Sequence, residues 1–311
     1  MIDISIITVG MNHLRFLQAL LPSLYGEGRP KASFEMIYVD NCSTDGSLEF
    51  IRDNYPEVTI IKNREPYGFA ENNNRGAFAS TGKYLAIINP DIVLQKGAID
   101  ALFSYAEAHP KAGILVPRLL NPDGTNQYAV RSFVTLKALW GRAMSKGDDS
   151  ADRKDVNAYL RKDMDVDKVQ AVDWSLGAAF FLPRRLYAEL SGFDQDYFLY
   201  MEDEDLCLRS WKYGRPVVYI PTSLMVHNHL RASSKIGKKM LMHISSLITF
   251  FRKHGINAKC DRNPLIINEL GGVEPYTSIL LAASCRNPSH HGRLRHDLCC
   301  VDLTNQYSLA A

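Results

Sequence analysis

In the segment KYLAIINPDIVL the apolar stretch Tyr84 to Ile88 reads as a strand, and a single carboxylate, Asp91, falls in the turn at its end. A carboxylate so placed can hold a divalent cation, Mg or Mn, because these ions prefer oxygen ligands and bridge diphosphates. Far downstream, YFLYMEDEDLCLRSW sets Glu202, Asp203, Glu204 and Asp205 just before an apolar-periodic helix. Acids suit the positive end of a helix dipole, but four exceed what capping requires, so one of them is a candidate general base. A metal carboxylate after a buried strand and a second acidic site point to metal-assisted group transfer from a nucleotide-activated donor.

Such groups need a scaffold, and the first half of the chain supplies an alternating one. DISIITV, FEMIYVD, VTIIKN, YLAIIN and GILVP read as strands. Between them LRFLQALLPSLY, SLEFIRDNY, FAENNNRGAFAS and GAIDALFSYAEAH carry helical spacing, with Asp45 as the expected cap of the second helix. The alternation predicts an α/β chain of parallel βαβ units. Such sheets bind ligands at the carboxyl ends of their strands, which here carry Thr8, Asp40, Arg64 and Asp91. Further on, AVDWSLGAAFFLP reads as one buried strand and EDLCLRSWKYG as a helix closed by Gly214. The charged, poorly periodic run 146–168 reads as a mobile loop over the acceptor side or as a surface insertion. A last helix places Ile236, Met240, Ile244, Ile248 and Phe251 on one stripe, expected to pack on the catalytic domain, with membrane contact as the alternative.

The net charge of +2 argues against a dedicated nucleic-acid binder. Charge is nevertheless uneven: from Leu206 to Cys260 there is no acid, while Arg209, Lys212, Arg215 and Arg231 are among the accumulating bases. That patch suits diphosphates or anionic lipid, or is a solvated face. The six cysteines show no regular framework, the first residues resemble no secretory signal, and no apolar run has the length of a membrane span. A cytoplasmic protein, peripheral on the inner face of the membrane, is the expectation. Cys285, His290, His291, His296, Cys299 and Cys300 near the end fit no common zinc spacing, and this tail reads as partly non-native.

The pieces DISIITV, IYVDNCSTDGS, NREPYGFAENNNRGAFAS, NPD, RLLNPDGT, VDWSLGAAFFLPR, GFDQDYFLYMEDEDLCLR and VVYIPTSLMVHNH follow one another across most of the chain. In this order they resemble the inverting glycosyltransferases of family 2, which have the GT-A fold: a Rossmann-like, nucleotide-binding mixed sheet flanked by helices. Within that family the chain is most similar to bacterial rhamnosyltransferases of O-antigen and cell-envelope polysaccharide synthesis. The resemblance implies a catalytic domain over 1–230, with a nucleotide-sugar half over 1–118 and an acceptor half over 119–230. A C-terminal helical segment over 231–264 and a tail over 265–311 would follow.

The resemblance also implies roles. Asp40 would recognise a pyrimidine base, with Asn41 beside it and Thr8 and Val9 flanking through the backbone; TVGMNH stands where relatives carry an Asn-Tyr-Asn-like run, and Asn12 is the substitute. Arg64, Gly68, Asn74, Arg75 and Asn89 would serve the donor, Gly68 through close backbone approach to phosphate. Asp91 occupies the metal-binding DxD position, and His227, or its neighbour His229, would complete the metal shell. Trp174 and Gly177 would form the acceptor wall. Asp203 would be the base, Glu202 would tune it, and Asp205 would cap the helix. Turn capping by Asp40, core packing of Trp174 and a surface location for His227 are the structural alternatives. The function implied is transfer of L-rhamnose from dTDP-L-rhamnose, with inversion, to a polyprenyl-diphosphate-linked glycan. A transferase for another hexose and a non-catalytic nucleotide-sugar or glycan binder are the alternatives.

Overall fold

The computed structural model describes residues 1–228, 238–256 and 258. The expectations for His229, for Ile236 and for the cysteines and histidines of the 265–311 tail lie outside these residues.

The strands are β1 (Ile4–Gly10), β2 (Phe34–Asp40), β3 (Thr59–Lys62), β4 (Tyr84–Ile88), β5 (Ile92–Leu94), β6 (Leu115–Leu120), β7 (Val130–Arg131), β8 (Gln170–Val172), β9 (Trp174–Ser175), β10 (Ala179–Pro183) and β11 (Val217–His227). The helices are α1 (Leu14–Tyr25), α2 (Ser47–Asn54), α3 (Phe69–Ala79), α4 (Ala98–Ala108), α5 (Leu136–Met144), α6 (Lys154–Tyr159), α7 (Arg184–Glu189), α8 (Glu202–Lys212) and α9 (Lys238–His254). One nine-stranded sheet runs β3-β2-β1-β4-β10-β6-β11-β5, with β8 also paired to β11, and β7 and β9 form a separate ribbon.

The β1 to β4 part is parallel, as the alternating pattern predicts, and every residue of β4 is buried, which is why that strand is apolar throughout. The second half turns the sheet mixed. β10 lies antiparallel to β4, with Ala179 opposite Ile88, so the start of β10 meets the end of β4. β11 runs parallel to β6 but slips register between Ile220 and Leu224, at Pro221, which has no N–H to offer a ladder. Before the slip β11 pairs with β8, and after it with β5, where His227 faces Ile92.

Several local expectations are corrected. The segment Ala171–Pro183 is not one strand but β8, β9 and β10, with Gly177 in the break. Asp45 is not the N-cap of α2; Gly46 is, while Asp45 accepts the Ser47 N–H at 3.1 Å and ties α1 to this turn through the Leu14 N–H at 2.8 Å. Of the two readings of the 146–168 run, the surface insertion agrees with the structure: the run is mostly exposed or half-buried, holds α6, and is anchored by buried Val156 and Leu160 and by the Ser132 N–H to Tyr159 O bond. On α9 the expected stripe is rotated. Ser246 and Phe250 are the buried positions, whereas Leu241, Ile244 and Ile248 are exposed.

Candidate active site

The end of β4, the break before β10, the start of α8 and the end of β11 meet at one edge of the sheet. The link between the first two is backbone: the Asn89 N–H donates to Ala178 O at 2.8 Å. Next to Ala178, the Gly177 N–H donates to Asp203 Oδ2 at 3.0 Å, and the Glu204 N–H donates to Asp203 Oδ1 at 2.8 Å. Both oxygens of this carboxylate are thus oriented by backbone. A Cβ on Gly177 would stand 3.0 Å from Asp203 Cβ, so any larger residue would press on the Asp203 side chain and require it to shift. Gly177 therefore positions the carboxylate, a more direct job than the acceptor wall expected for it.

α8 can hold these acids because its other face is core. Leu206, Cys207, Leu208 and Trp211 are buried, and a large apolar side chain so placed stabilises by roughly 1.5 to 3 kcal/mol. Its N-cap is Met201, with φ of 70° and no capping side chain. Burial raises the pKa of Asp203 above the ordinary aspartate range, against the opposing backbone bonds from Gly177 and Glu204 and the charge of Arg131. Burial also raises Glu202 well above its ordinary value, with the Asp203 charge adding to it, and does the same to Glu204. Glu204 is occupied structurally, accepting the Val134 N–H at 2.6 Å. Asp205 does not cap the helix: it is fully buried between Arg209 Nε at 2.6 Å and His254 Nε2 at 2.7 Å, so it ties α8 to α9.

The candidate metal residues are adjacent. The β5/β11 register sets His227 beside Asp91, and the Asn228 N–H closes on Asp91 O at 2.8 Å. His227 is buried, its Nε2 lies 3.5 Å from Asp91 Oδ2, and its Nδ1 meets Gln127 Oε1 at 2.6 Å. Asp91 Oδ1 is buried with no hydrogen-bond partner among the described residues. Such an orphaned carboxylate oxygen beside an imidazole fits a divalent cation. No group of three or more His, Cys, Asp or Glu able to hold a metal occurs among the described residues.

On the nucleotide side the structure redistributes several expected contacts. Asp40 is fully buried and both its oxygens accept the Ser43 N–H, at 3.2 and 3.3 Å, which is the turn-capping arrangement. Thr8 is also buried and donates its hydroxyl to Ile88 O, while Val9 is half-buried. Asn12 accepts the Thr44 N–H at 2.8 Å, bracing the loop after β1. Asn41 is part of an amide cluster: it bonds Tyr67 O and the Tyr67 N–H, and receives Asn63 Nδ2, which also reaches Asn72. A Cβ added at Gly68 would lie 2.6 Å from Phe198 O, so the backbone there packs closely against Phe198. Asn74 is committed too, accepting from the Tyr187 hydroxyl and the Phe193 N–H and donating to Phe193 O. Arg75 sits over the Tyr67 ring at 3.9 Å and pairs with Glu71, and Arg64 is exposed beyond β3.

Trp174 is 4% exposed, its indole N–H donates to Ser132 O, and the Arg131 guanidinium lies 5.7 Å from its ring centroid. It belongs to the core, and the charge of Arg131 also bears on Asp203, lowering its pKa. Sequence reasoning did not single out Arg131, Asn63 or Gln127. For Gln127 the signal was available, since it follows the NPDGT run that carried no assigned role.

Comparison with solved structures places this architecture. GalNAc-T7 with UDP, GalNAc and Mn2+ superposes with a TM-score of 0.59 at 15% identity, over 80% of this chain and 48% of that one, so this chain spans about half its length. The mannosyltransferase PcManGT from Pyrobaculum calidifontis in complex with GDP-Man and Mn2+ gives 0.55 at 18% identity, over 86% and 68%. The fold is GT-A, a mixed sheet flanked by helices. A model of glycosyl transferase family 2 matches residues 5–166, just over half of the chain, and the protein belongs to that family and is a glycosyltransferase. It is 28% identical over 212 residues to the N-acetylglucosaminyl-diphospho-decaprenol L-rhamnosyltransferase of Mycobacterium tuberculosis, covering 64% of this chain and 68% of that protein. It is 25% identical over 268 residues to rhamnosyltransferase WbbL of Escherichia coli K12, covering 83% and 96%.

Proposed function

We propose that the protein transfers L-rhamnose from dTDP-L-rhamnose, with inversion, to a glycan carried on a polyprenyl diphosphate. The observation that carries the catalytic part is Asp203, a carboxylate of raised pKa held by two backbone N–H groups beside the β4 end that bears Asp91. Asp203 takes the proton from the acceptor hydroxyl as that oxygen attacks the anomeric carbon from the face opposite the diphosphate. The bond between the anomeric carbon and the diphosphate oxygen breaks, and the nucleoside diphosphate leaves with the electron pair. Asp91 and His227 would hold a divalent cation, which when bound neutralises charge on the diphosphate. The pKa of Glu202, beside Asp203, is raised well above the ordinary glutamate value by burial and then by the Asp203 charge, which favours its neutral form next to the base.

The donor and acceptor classes are supported by the rhamnosyltransferase relatives, one of which is named for a decaprenol-linked substrate. A lipid-linked acceptor brings the enzyme to a membrane surface. Among the described residues no helix is long and apolar enough to cross a membrane, and the exposed Leu241, Ile244 and Ile248 of α9 give a face for peripheral contact at the cytoplasmic leaflet. The nucleotide-sugar half up to about 118 and the acceptor half to about 230 then share one sheet, with β6 at their junction.

The test is a panel of dTDP-, UDP- and GDP-sugars incubated with a polyprenyl-diphosphate glycan, with and without Mn2+, and with the product's anomeric configuration read by NMR. Turnover of dTDP-L-rhamnose alone, with inversion, is expected. Preference for another hexose donor would overturn the rhamnosyl assignment, and binding of donors with no turnover of any would overturn the catalytic one.

A further inference from the structure

The hairpin after β6 carries a chain of hydrogen bonds whose polarity can be followed atom by atom to the imidazole of His227. It starts at Asp123, whose carboxylate only accepts when ionised; bonds from Thr125 hold its pKa below the ordinary aspartate value. The Thr125 hydroxyl donates to Asp123 Oδ1 at 2.6 Å. Having spent its proton there, that oxygen must accept from Asn121, whose Nδ2 lies 2.9 Å away. The Asn121 amide is thereby oriented, so its Oδ1 is the atom facing Gln127 Nε2 at 3.1 Å. The Gln127 amide is oriented in turn, and its Oε1 faces His227 Nδ1 at 2.6 Å. An amide oxygen can only accept, so Nδ1 carries a proton, and in the neutral imidazole Nε2 is then the unprotonated nitrogen, 3.5 Å from Asp91 Oδ2.

The turn is built to hold this order. In Asn121-Pro122-Asp123-Gly124 proline fits the second position, the Gly124 N–H closes on Asn121 O at 2.9 Å, and Gly124 takes φ of 82°. The Asn121 N–H then closes on Thr125 O, and the Gln127 N–H on Leu119 O, which returns Gln127 toward β11.

We infer that Gln127 is a positioning residue that fixes the tautomer of His227, through a polarity relay anchored in the NPDGT turn, so that Nε2 is the atom offered to a divalent cation shared with Asp91. This rests on the metal reading above, but the relay has its own signature. Outer partners of this kind set ligand orientation, and their loss typically costs about 10- to 100-fold in metal affinity. Without Gln127, the tautomer with the proton on Nε2 gains a hydrogen bond to Asp91 and closes the site to the ion.

The experiment records imidazole nitrogen shifts of the metal-free, full-length protein at about pH 8.5, roughly two units above the ordinary histidine pKa. The His227 signals are assigned by their loss in His227→Ala, and Mn2+ binding is measured by titration in the presence of dTDP. The unaltered protein should show a protonated Nδ1 and an unprotonated Nε2. Gln127→Met should shift the proton to Nε2 and weaken Mn2+ binding about 10- to 100-fold. Gln127→Glu, which keeps an acceptor toward Nδ1, should restore the tautomer. Thr125→Val, on the exposed turn, should lose part of the bias with Gln127 still in place. An unaltered protein with the proton on Nε2, or a Gln127→Met protein with tautomer and Mn2+ affinity unchanged, would overturn the inference. A locked tautomer together with Mn2+ binding indifferent to Asp91→Ala would instead sink the metal reading and leave the relay standing.

Discussion

Replacing Asp203 by Asn tests the base assignment with the least disturbance of shape. The two oxygens of Asp203 each accept one backbone N–H, from Gly177 and from Glu204. The amide of Asn can answer only one, and its NH2 must face the other donor, so one charge-assisted bond worth about 1.5 to 3 kcal/mol is lost. Part of this is returned, because the raised pKa of Asp203 shows that its ionised form pays for burial in the native site. Against the ~5 to 15 kcal/mol that holds a domain folded, the variant should remain native. Loss of a general base should slow transfer by about 100- to 10,000-fold, roughly 2.7 to 5.4 kcal/mol in the barrier. Initial rates with dTDP-L-rhamnose and a lipid-linked acceptor, set beside the thermal midpoint and the donor affinity of the same preparation, separate the two effects. In the unaltered enzyme the acid limb of kcat/KM should lie above the ordinary aspartate pKa, because the base must be ionised to work. Near-normal turnover by Asp203→Asn, with Glu202→Gln or Asp205→Asn inactive, would refute the assignment while leaving the fold untouched.

Gly177→Ala should drive its new methyl against Asp203 and cost activity more than stability, read as a fall in kcat with donor affinity retained; equal losses in folding and rate would show a merely structural glycine. Asp91→Ala and excess chelator should each abolish transfer, and full activity in chelator would remove the metal from the mechanism. Buried Glu202 and Glu204 have folded pKa values raised above the unfolded ones, so their contribution to stability is present below the ordinary glutamate pKa and lost as pH rises through the folded values. Glu202→Gln, neutral at every pH, should therefore flatten the alkaline fall of the urea midpoint, and parallel profiles would contradict the burial argument. Leu241→Ser with Ile244→Ser and Ile248→Ser should leave donor hydrolysis in solution intact and reduce co-sedimentation with anionic vesicles; undiminished vesicle binding would exclude α9 as the contact face.

Local order was legible in the residues themselves. The apolar spacing of α1 and the run of β2 carry their own boundaries, Leu14–Tyr25 and Phe34–Asp40, because helix and strand periods are properties of consecutive residues. The acids of the α8 start and the lone carboxylate after β4 were legible for the same reason, each being a local departure from what its element needs. What tertiary structure decided is which polar groups are spoken for. Asn41 and Asn74 have the same chemistry as donor ligands, yet their amides are consumed by Tyr67 and Phe193, partners that no spacing announces. The rotated face of α9 was likewise settled by the groove it fills, where Ser246 reaches Leu199 O and His254 reaches Asp205. Gly177 meets Asp203 across 26 residues, and Gln127 meets His227 across 100, through strand registers and a slipped β11 ladder. Contacts at that separation depend on how the elements pack together, so the linear pattern names the reactive groups while the fold selects which neighbours tune them.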